Sequence, residues 1–309
     1  MLKQSKVALV LIGVLAGLSG SIQAEYFRDI SEIGTSAAMI GIGNVSGFTK
    51  SAAVVFESPT GLAYAGNSLS TFYTTYFGGD TTYMTGAVSI KPRADITLGF
   101  GVVYEGVGGI DATATNNSNE AISVGTFAYS SAQYVAGMNY QRDNLNIGIS
   151  VTDYARTLAT LTGNGFDFGV GIRYTSAVGD WQLFGRNVLG NKVLYSNGAQ
   201  EGLASEWGVG YKSNSFPLMN GDLYLQLKRS SAVARVMPGM GLKVYPLESK
   251  LVGLSLGYKE IPKTSTTTRG SVTIGLSLDL QPVIVEYCYD TTDAFQQESQ
   301  HYISFSMKY

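Results

Sequence analysis

Hydrophobic and polar residues alternate with a period of two through most of the chain. Near the C-terminus, the stretch 272–280 places a hydrophobic residue at every second position, with Thr273, Gly275 and Ser277 between them. The same alternation recurs in segments 96–104, 145–151, 166–174, 207–211 and 223–227. Turn-forming residues such as Lys91-Pro92-Arg93 separate the segments, so the pattern predicts up-and-down β-hairpins.

Alternation alone fits a soluble sandwich or propeller as well as a membrane barrel. Strands of roughly ten residues suit a tilted membrane strand better than the usual five or six. The polar face carries Gly, Ser, Thr and isolated charges of both signs, as in a wet lumen, and tyrosines such as Tyr174 and Tyr289 gather at strand ends. Unpaired backbone N–H and C=O groups are unfavourable in free energy within hydrocarbon, so strands that face lipid must pair on both sides and form a closed barrel. We therefore predict an all-β fold, a closed antiparallel transmembrane β-barrel of about 14 strands, with 12 or 16 as alternatives.

The last strand carries a pattern of its own. Hydrophobic residues occupy alternate positions and the chain ends on an aromatic residue. This arrangement resembles the C-terminal signal of outer-membrane barrels, and the resemblance implies the barrel-assembly machinery and outer-membrane lipid as partners. The residues of this predicted assembly signal are Ile303, Phe305, Met307 and Tyr309.

The N-terminus predicts a secretory signal peptide over residues 1–24. Lys3 and Lys6 precede an apolar stretch at 7–18, and Ala24 offers a small residue for cleavage. The apolar stretch is too short for a spanning helix, and an uncleaved anchor is the alternative. Together with the barrel pattern, this signal predicts the outer membrane of a Gram-negative-type bacterium.

Residues 25–67 lack the strand pattern, and we expect them to form a hatch inside the barrel of residues 68–309. Small residues around Gly41 and Gly43 permit tight packing, and Pro59 with Gly61 predicts a compact turn. A disordered periplasmic tail is the alternative. The candidate path residues on this hatch are Phe48, Val54, Val55, Phe56, Ser58, Pro59 and Gly61.

Composition narrows the possible functions. The 309-residue chain contains one histidine, His301, and one cysteine, Cys288, which argues against a catalytic triad, a multi-histidine metal site or an intrachain disulfide. The net charge of −2, without a cluster of basic residues, argues against nucleic acid as a partner. We therefore expect no enzyme activity, no metal and no cofactor.

The isolated charges on the polar faces are expected to line the lumen, as solvated groups or as a constriction. An alternative interpretation treats these charges as paired catalytic carboxylates, formed by Asp279, Glu286 and Asp290. Nearby lysines favour the lumen-lining interpretation. The predicted lumen-lining residues are Asp167, Arg173, Lys212, Lys228, Lys259, Asp279, Glu286, Asp290 and Lys308.

Three stretches resemble the PorV/PorQ branch of the FadL-like outer-membrane barrels. Residues 38–43 resemble the Gly-rich opening of that family, residues 51–63 its Asn-Pro-Ala-Gly-Leu segment, and residues 181–190 a mid-barrel strand. Ser58 and Thr60 depart from the family's Asn and Ala. The resemblance implies a 14-stranded barrel with an N-terminal hatch and passive transport of hydrophobic small molecules such as fatty acids, through the hatch and a lateral wall opening. The alternative it implies is a PorV-like component of type IX secretion that binds and shuttles secreted cargo proteins.

The two functions predict different architectures. Transport predicts an apolar path through the hatch, whereas a shuttle predicts large ordered outer loops and a sealed lumen. The longest candidate loops, at 106–119, 193–203 and 290–300, are polar and no longer than roughly 15 residues. Loop length therefore favours transport.

Overall fold

The protein is described by a computed structural model that covers residues 33–76, 79–115, 120–213, 220–233, 235–262, 266–292 and 299–309. The predicted signal peptide and residues 25–32 of the predicted hatch lie outside the described residues. No helix in the described part of the chain is long and apolar enough to cross a membrane.

Fourteen antiparallel strands form one closed barrel within these ranges. The first and last strands pair through Ser68↔Lys308 to Tyr73↔Ile303, so the fourteen strands of the wall form a closed ring in the described residues. The predicted fold class is confirmed, with 14 strands. The barrel strands are β1 (Ser68–Tyr76), β2 (Thr81–Arg93), β3 (Ile96–Thr115), β4 (Ala121–Arg142), β5 (Leu145–Leu158), β6 (Leu161–Thr175), β7 (Gly179–Arg186), β10 (Glu206–Ser213), β11 (Gly221–Ser230), β12 (Val236–Val244), β13 (Val252–Pro262), β14 (Thr268–Asp279), β15 (Val283–Asp290) and β16 (Gln300–Lys308). A short hairpin of β8 (Lys192–Tyr195) and β9 (Gln200–Gly202) pairs with β6.

The alternation in the sequence becomes an outward apolar face and an inward polar face. On β14, Ile274 is 53% exposed while its neighbour Thr273 is completely buried. The four residues of the predicted assembly signal on β16 and at the C-terminus all lie exposed on the outward face. Adjacent side chains of a strand point to opposite faces, so these residues, which are two positions apart, all lie on the same face.

The barrel has two different rims. We call the rim where β1 begins and β16 ends the terminal rim, and the opposite one the distal rim. At the distal rim β3 and β4, with 20 and 22 residues, continue as a two-stranded ribbon beyond their neighbours. Residues 106–115 were expected to be loop, and the stretch 120–141 one strand or two; both are single strands, because β3 and β4 continue to pair as far as Thr115↔Ala121.

The described N-terminal segment, residues 33–66, lies inside the barrel, and we keep the name hatch for it. It contains helix α1 (Ala37–Gly41), the 3₁₀ turns Ala52–Phe56 and Pro59–Gly61, and helix α2 (Leu62–Ala65). The Ser36 hydroxyl accepts a hydrogen bond from the Met39 amide and starts α1. Nearly all hatch side chains are buried, and none of the residues 33–66 joins a β-ladder. The hatch therefore fills the lumen without being part of the wall.

Candidate functional site

The first half of the hatch touches the wall at glycines. Gly43, in the left-handed region at φ +73°, packs on the backbone carbonyls of Met240 and Tyr258. A Cβ added to Gly241 would lie 2.6 Å from the Ile42 carbonyl oxygen. Glycines on the inward face of β12 and β13 thus let the backbone of the hatch approach the backbone of the wall more closely than side chains would allow.

The second half of the hatch sits on the opposite side of the barrel in the same way. A Cβ on Gly148 would meet the Pro59 and Thr60 backbone at 2.7 Å, and a Cβ on Gly99 would meet the Leu62 side chain at 2.5 Å. Each half of the hatch therefore lies in a groove lined by glycine.

Wall side chains hold the hatch through its backbone carbonyls. The Arg186 guanidinium donates to the Phe56 carbonyl at 3.3 Å, and the Lys228 ammonium donates to the Asn44 carbonyl at 3.3 Å. The amide groups of Gln182 and Gln226 both donate to the Ser46 carbonyl, at 3.2 and 3.3 Å. These bonds are non-covalent and none belongs to a β-ladder, so the pairing of the barrel strands with one another does not depend on the hatch.

Arg173 of β6 contacts the hatch at three residues. Its guanidinium lies 5.1 Å from the Phe48 ring centroid and 4.3 Å from the Tyr64 ring centroid. It also donates to the Gly47 carbonyl and, at 2.5 Å, to Gln182 Oε1. Cation–π contacts between buried groups stabilise such an arrangement. Arg173 thus fixes the hatch turn around Gly47 instead of lining open water.

Glu57 lies at the centre of the hatch and is completely buried. Its carboxylate accepts hydrogen bonds from the Gly47 amide at 2.7 Å, the Thr49 hydroxyl at 3.0 Å and the Thr35 hydroxyl at 3.3 Å. Burial raises the pKa of Glu57 to about 7, against the opposing effect of these hydrogen bonds and of the Arg186 charge. A carboxyl group that titrates near neutral pH therefore joins three parts of the hatch.

A first cavity lies on the distal side of the hatch. Its volume is about 30 Å³, enough for one or two water molecules. The hatch residues Val55, Phe56 and Pro59 supply apolar surface, while Gln133 and Thr152 of the wall supply polar groups. The cavity is too small for an organic ligand while the hatch is in place.

Residues 187–205, which we call the cap segment, fold back over the distal mouth. Val193 and Leu203 pack against the inward-facing Tyr154, and Glu201 pairs with the Arg156 guanidinium. Asn187 accepts a hydrogen bond from the Tyr154 hydroxyl and lines the first cavity. The cap segment therefore covers the cavity from the distal side.

Asp167 holds the start of the cap segment. Its carboxylate accepts hydrogen bonds from the Leu189 amide at 3.0 Å and the Asn191 amide at 2.9 Å. It is completely buried. Asp167, predicted to line the lumen, thus faces inward as a buried carboxylate that binds backbone amides of the cap segment.

A second cavity of similar volume lies on the other side of an ion pair. Arg186 and Glu206 are joined at 2.7 Å; Arg186 lines the first cavity and Glu206 the second. Lys228 and Lys259 also line the second cavity. The Arg186–Glu206 pair thus separates the two spaces.

The remaining predicted lumen residues are also inward-facing, and most have protein partners. Lys259 pairs with Asp290 at 2.6 Å, and Lys212 with Asp222 at 3.7 Å. Glu286 accepts a hydrogen bond from the Ser304 hydroxyl at 3.3 Å. Asp279 accepts from the Gln281 amide at 3.4 Å, and Lys308 is exposed at the terminal rim. In the described residues these inward-facing charges lie around a packed hatch.

The seven predicted path residues separate into two groups. Val55, Phe56, Ser58 and Pro59 line the first cavity. Phe48 packs in an apolar cluster with Tyr224, whereas Val54 and Gly61 pack against each other within the hatch. The residues that sequence reasoning missed are Glu57, Arg186 and Gln182; a charged residue within the apolar stretch 52–63 was the available signal for Glu57.

No protein-family model matches the chain, and no curated protein matches it significantly. Solved structures do. The Pseudomonas putida toluene transporter TodX aligns with a TM-score of 0.60 at 12% identity, covering 87% of this chain and 98% of that chain. The Ralstonia pickettii toluene transporter TbuX gives a TM-score of 0.65 at 10% identity, covering 91% and 100%. A Pseudomonas aeruginosa FadL homologue gives 0.57 at 9% identity, covering 88% and 97%.

These identities are too low to transfer an activity, and they show a shared fold. The similarity extends over almost the whole length of each of these structures. The chain therefore has the fold of a FadL-like barrel.

Proposed function

We propose that this protein is a channel for the passive transport of hydrophobic small molecules, such as fatty acids, across the outer membrane of a Gram-negative-type bacterium. One observation carries the proposal: the hatch fills the lumen, yet it is attached by side-chain hydrogen bonds and glycine contacts and by no β-ladder. The fold shared with two toluene transporters and a FadL homologue supports it.

Transport requires the hatch to move. Each cavity has a volume of about 30 Å³, far below the roughly 300–1,000 Å³ of sites that enclose drug-sized ligands. A shift of the hatch away from the wall would join the two cavities to the terminal rim. In the glycine-lined grooves the wall presents backbone to the hatch, and no energy source is needed for movement down a gradient.

A disulfide between the hatch and the wall tests this movement. The ideal Cβ position of Gly41 lies 3.9 Å from the Cβ of the native Cys288 on β15, within the separation that a disulfide requires. The same Cβ would approach the Ser255 hydroxyl at 2.9 Å, so Gly41→Cys is combined with Ser255→Ala. The matched control, Gly41→Ala with Ser255→Ala, adds the same bulk without a thiol.

The measurement is uptake of radiolabelled oleate by cells of a Gram-negative host that lacks its own fatty-acid channel. We expect the oxidised double variant to lose uptake, a reductant to restore it, and the control to resemble the wild type. Uptake by the oxidised protein would show that the hatch need not move. A wild-type protein that confers no uptake of oleate or toluene would remove the proposed function.

The secretion-partner alternative has one observation of its own. The distal ribbon of β3 and β4 is exposed on both faces over residues 121–126, and the lumen is closed by the hatch. A shuttle would use such a projecting surface to bind a secreted cargo protein. Deleting the ribbon should leave oleate uptake unchanged if the protein is a channel, and should abolish cargo co-purification if it is a shuttle.

Assembly into the membrane is the remaining part of the proposal. Phe305, Met307 and Tyr309 are exposed on the outward face, where they would meet lipid and the barrel-assembly machinery. Replacing Phe305 and Tyr309 by Ser should lower the amount of assembled barrel in the outer membrane. An unchanged amount would show that assembly does not depend on this strand.

A further inference from the structure

The two ends of the cap segment are held together at one point of the wall. Arg186 ends β7 and Glu206 begins β10, and their side chains form an ion pair at 2.7 Å. The side-chain amide of Asn187 donates a hydrogen bond to the Ala204 carbonyl at 3.1 Å. We call these four residues the cap base. The cap segment is therefore a loop whose two ends are fixed at the same place.

The cap base also binds the hatch. One amino group of the Arg186 guanidinium donates to the Phe56 carbonyl at 3.3 Å, while the other pairs with Glu206. Phe56 ends the first 3₁₀ turn of the hatch. The next residue is the buried Glu57, and the Arg186 charge acts on its carboxyl group. One guanidinium therefore connects the hatch with both strands that carry the cap segment.

Asn187 connects the cap base with the wall beneath the cap segment. Its φ of +49° lies in the left-handed region, which residues other than glycine seldom occupy. Two hydrogen bonds of its side chain hold it there, one from the Tyr154 hydroxyl and one to the Ala204 carbonyl. If the cap segment lifted off Tyr154, Asn187 would lose one of these bonds. The direction of the chain would then change directly after Arg186.

The cap base and the hatch face each other across the first cavity. Residues 55–59 of the hatch line one side of it, and Tyr154, Arg186 and Asn187 line the other. Close-packed protein interiors leave side chains little freedom to rearrange. This space of about 30 Å³ lies beside the residues that would have to move.

We propose that the cap base couples the cap segment to the hatch, so that displacing either one destabilises the closed position of the other. In the closed state Tyr154 and Ala204 hold Asn187, and Arg186 holds the Phe56 carbonyl. In the open state the cap segment has left Tyr154 and Arg186 has released Phe56. For transport the proposal rests on the proposed function, since it makes the cap segment an outer lid that opens together with the hatch.

Tyr154→Phe tests the coupling from the side of the cap segment. The variant removes the hydroxyl that binds Asn187 and keeps the ring that packs against Val193 and Leu203. Hydrogen exchange is measured on the full-length protein in detergent. Amides of residues 54–58 in the hatch should exchange roughly two- to tenfold faster, which corresponds to the loss of one neutral hydrogen bond. Unchanged exchange in the hatch would overturn the coupling.

The matched control is Tyr195→Phe. It removes the hydrogen bond from the Tyr195 hydroxyl to Glu201 within the cap segment and leaves the cap base intact. Exchange in the cap segment should become faster, while exchange in the hatch should stay as in the wild type. Equal acceleration of the hatch by both variants would overturn the role of the cap base, because any loosening of the cap segment would then suffice.

The route through Arg186 is tested in the background Arg186→Met/Glu206→Gln. Methionine has no group that donates to the Phe56 carbonyl, and the second substitution removes the carboxylate that would otherwise lose its partner. A heat-modifiable gel shift checks that the barrel is folded. In this background Tyr154→Phe should no longer change exchange in the hatch. The same acceleration as in the wild-type background would overturn the route.

Gly148→Ala tests the reverse direction. Its Cβ would meet the backbone of Pro59 and Thr60 at 2.7 Å, so the second half of the hatch must shift. Coupling between two sites acts equally in both directions, and amides of residues 187–191 should exchange faster. The control is Gly86→Ala, whose Cβ meets only the Val102 side chain at 4.0 Å. Cap exchange that stays slow in Gly148→Ala would overturn the coupling.

These measurements need no transport, so they separate the inference from the proposed function. A wild-type protein that shows the coupling but confers no uptake of oleate or toluene would remove the channel function and keep the coupling. A protein that transports oleate, but whose hatch exchanges at the same rate in Tyr154→Phe, would overturn the inference alone.

Discussion

The carboxylate of Glu57 accepts a hydrogen bond from the Gly47 amide at 2.7 Å, and this contact joins the turn around Gly47 to the segment between the two 3₁₀ turns of the hatch. Arg173 binds the carbonyl of the same Gly47 from the wall. One residue of the hatch is therefore held on its amide side by an internal carboxylate and on its carbonyl side by the barrel. Any change in the charge of Glu57 acts on the point where hatch and wall meet.

We expect the closed hatch to lose stability as the pH rises. Burial raises the pKa of Glu57 from 4.5 to about 7 in the closed hatch, and exposure to water would return it to its ordinary value. The closed state thus binds more protons than the open state. The stability that the extra proton gives the closed state over the open state is complete below pH 4.5. It declines as the pH rises and is lost above about pH 7. Oleate uptake, measured from about pH 5 to about pH 8, should increase with pH.

The control for this prediction is Glu57→Gln. The glutamine carbonyl can still accept from the Gly47 amide, and its NH₂ group can donate to Thr35 or Thr49, because hydroxyls accept as well as donate. The geometry is kept while the titration is removed, so the uptake profile should become flat. A profile as steep as that of the wild type would assign the pH dependence to another group.

The β-barrel could be predicted from the sequence because the side chains of a strand alternate between two faces. This alternation of hydrophobic and polar residues is visible in the sequence whatever fills the interior. The apolar Ile274 is exposed on the outward face and the polar Thr273 is buried on the inward face, as the alternation predicts. What alternation cannot show is what lies against the inward face. Polar and small residues suit water and a packed hatch equally well, so the pattern could not tell which of the two lies against Lys259, Asp290 and Asp167.

Glycine on the inward face was the signal that could have indicated a packed lumen. Gly239, Gly241 and Gly257 alternate on β12 and β13, and a Cβ on any of them would meet the backbone of the hatch turn 42–43. A wet lumen gives no reason for glycine at such regular positions, whereas close approach of a backbone does.

Gly257→Ala should loosen the hatch and leave the barrel intact. The added Cβ would overlap the Gly43 amide nitrogen, and since backbone cannot yield as a flexible side chain does, the hatch must shift at a cost of about 1–3 kcal/mol. We expect faster oleate uptake together with an unchanged heat-modifiable gel shift. Gly202→Ala is the control, because a Cβ there meets nothing within 4 Å. Unchanged uptake for Gly257→Ala would mean that hatch position does not limit transport.

Asp167→Ala should release the start of the cap segment. The substitution leaves the amides of Leu189 and Asn191 without their acceptor, which costs about 1–3 kcal/mol for each buried donor left unpaired. Amide hydrogen exchange of residues 187–191 should become faster. Asp153→Asn changes an exposed carboxylate on the adjacent strand and should have no such effect. Exchange that stays slow in Asp167→Ala would show that contacts of Val193 and Leu203 suffice to hold the cap.

The assignment of the two faces of the wall is tested by neighbouring residues of β14. Leu276 is exposed on the outward face, and Ser277 is half-buried on the inward face near the terminal rim. In a membrane barrel, Leu276→Arg places a cation against acyl chains, which costs about 2–4 kcal/mol at the midplane and less towards the rim on whose side Leu276 lies. Ser277→Arg reaches the polar interior near Glu286, its partner in the ladder with β15, and should be tolerated. The measurement is the fraction of heat-modifiable barrel in the membrane and the free energy of unfolding in detergent. Equal damage from both substitutions would contradict an outward face in contact with lipid, since only a soluble core on both sides penalises the two positions alike.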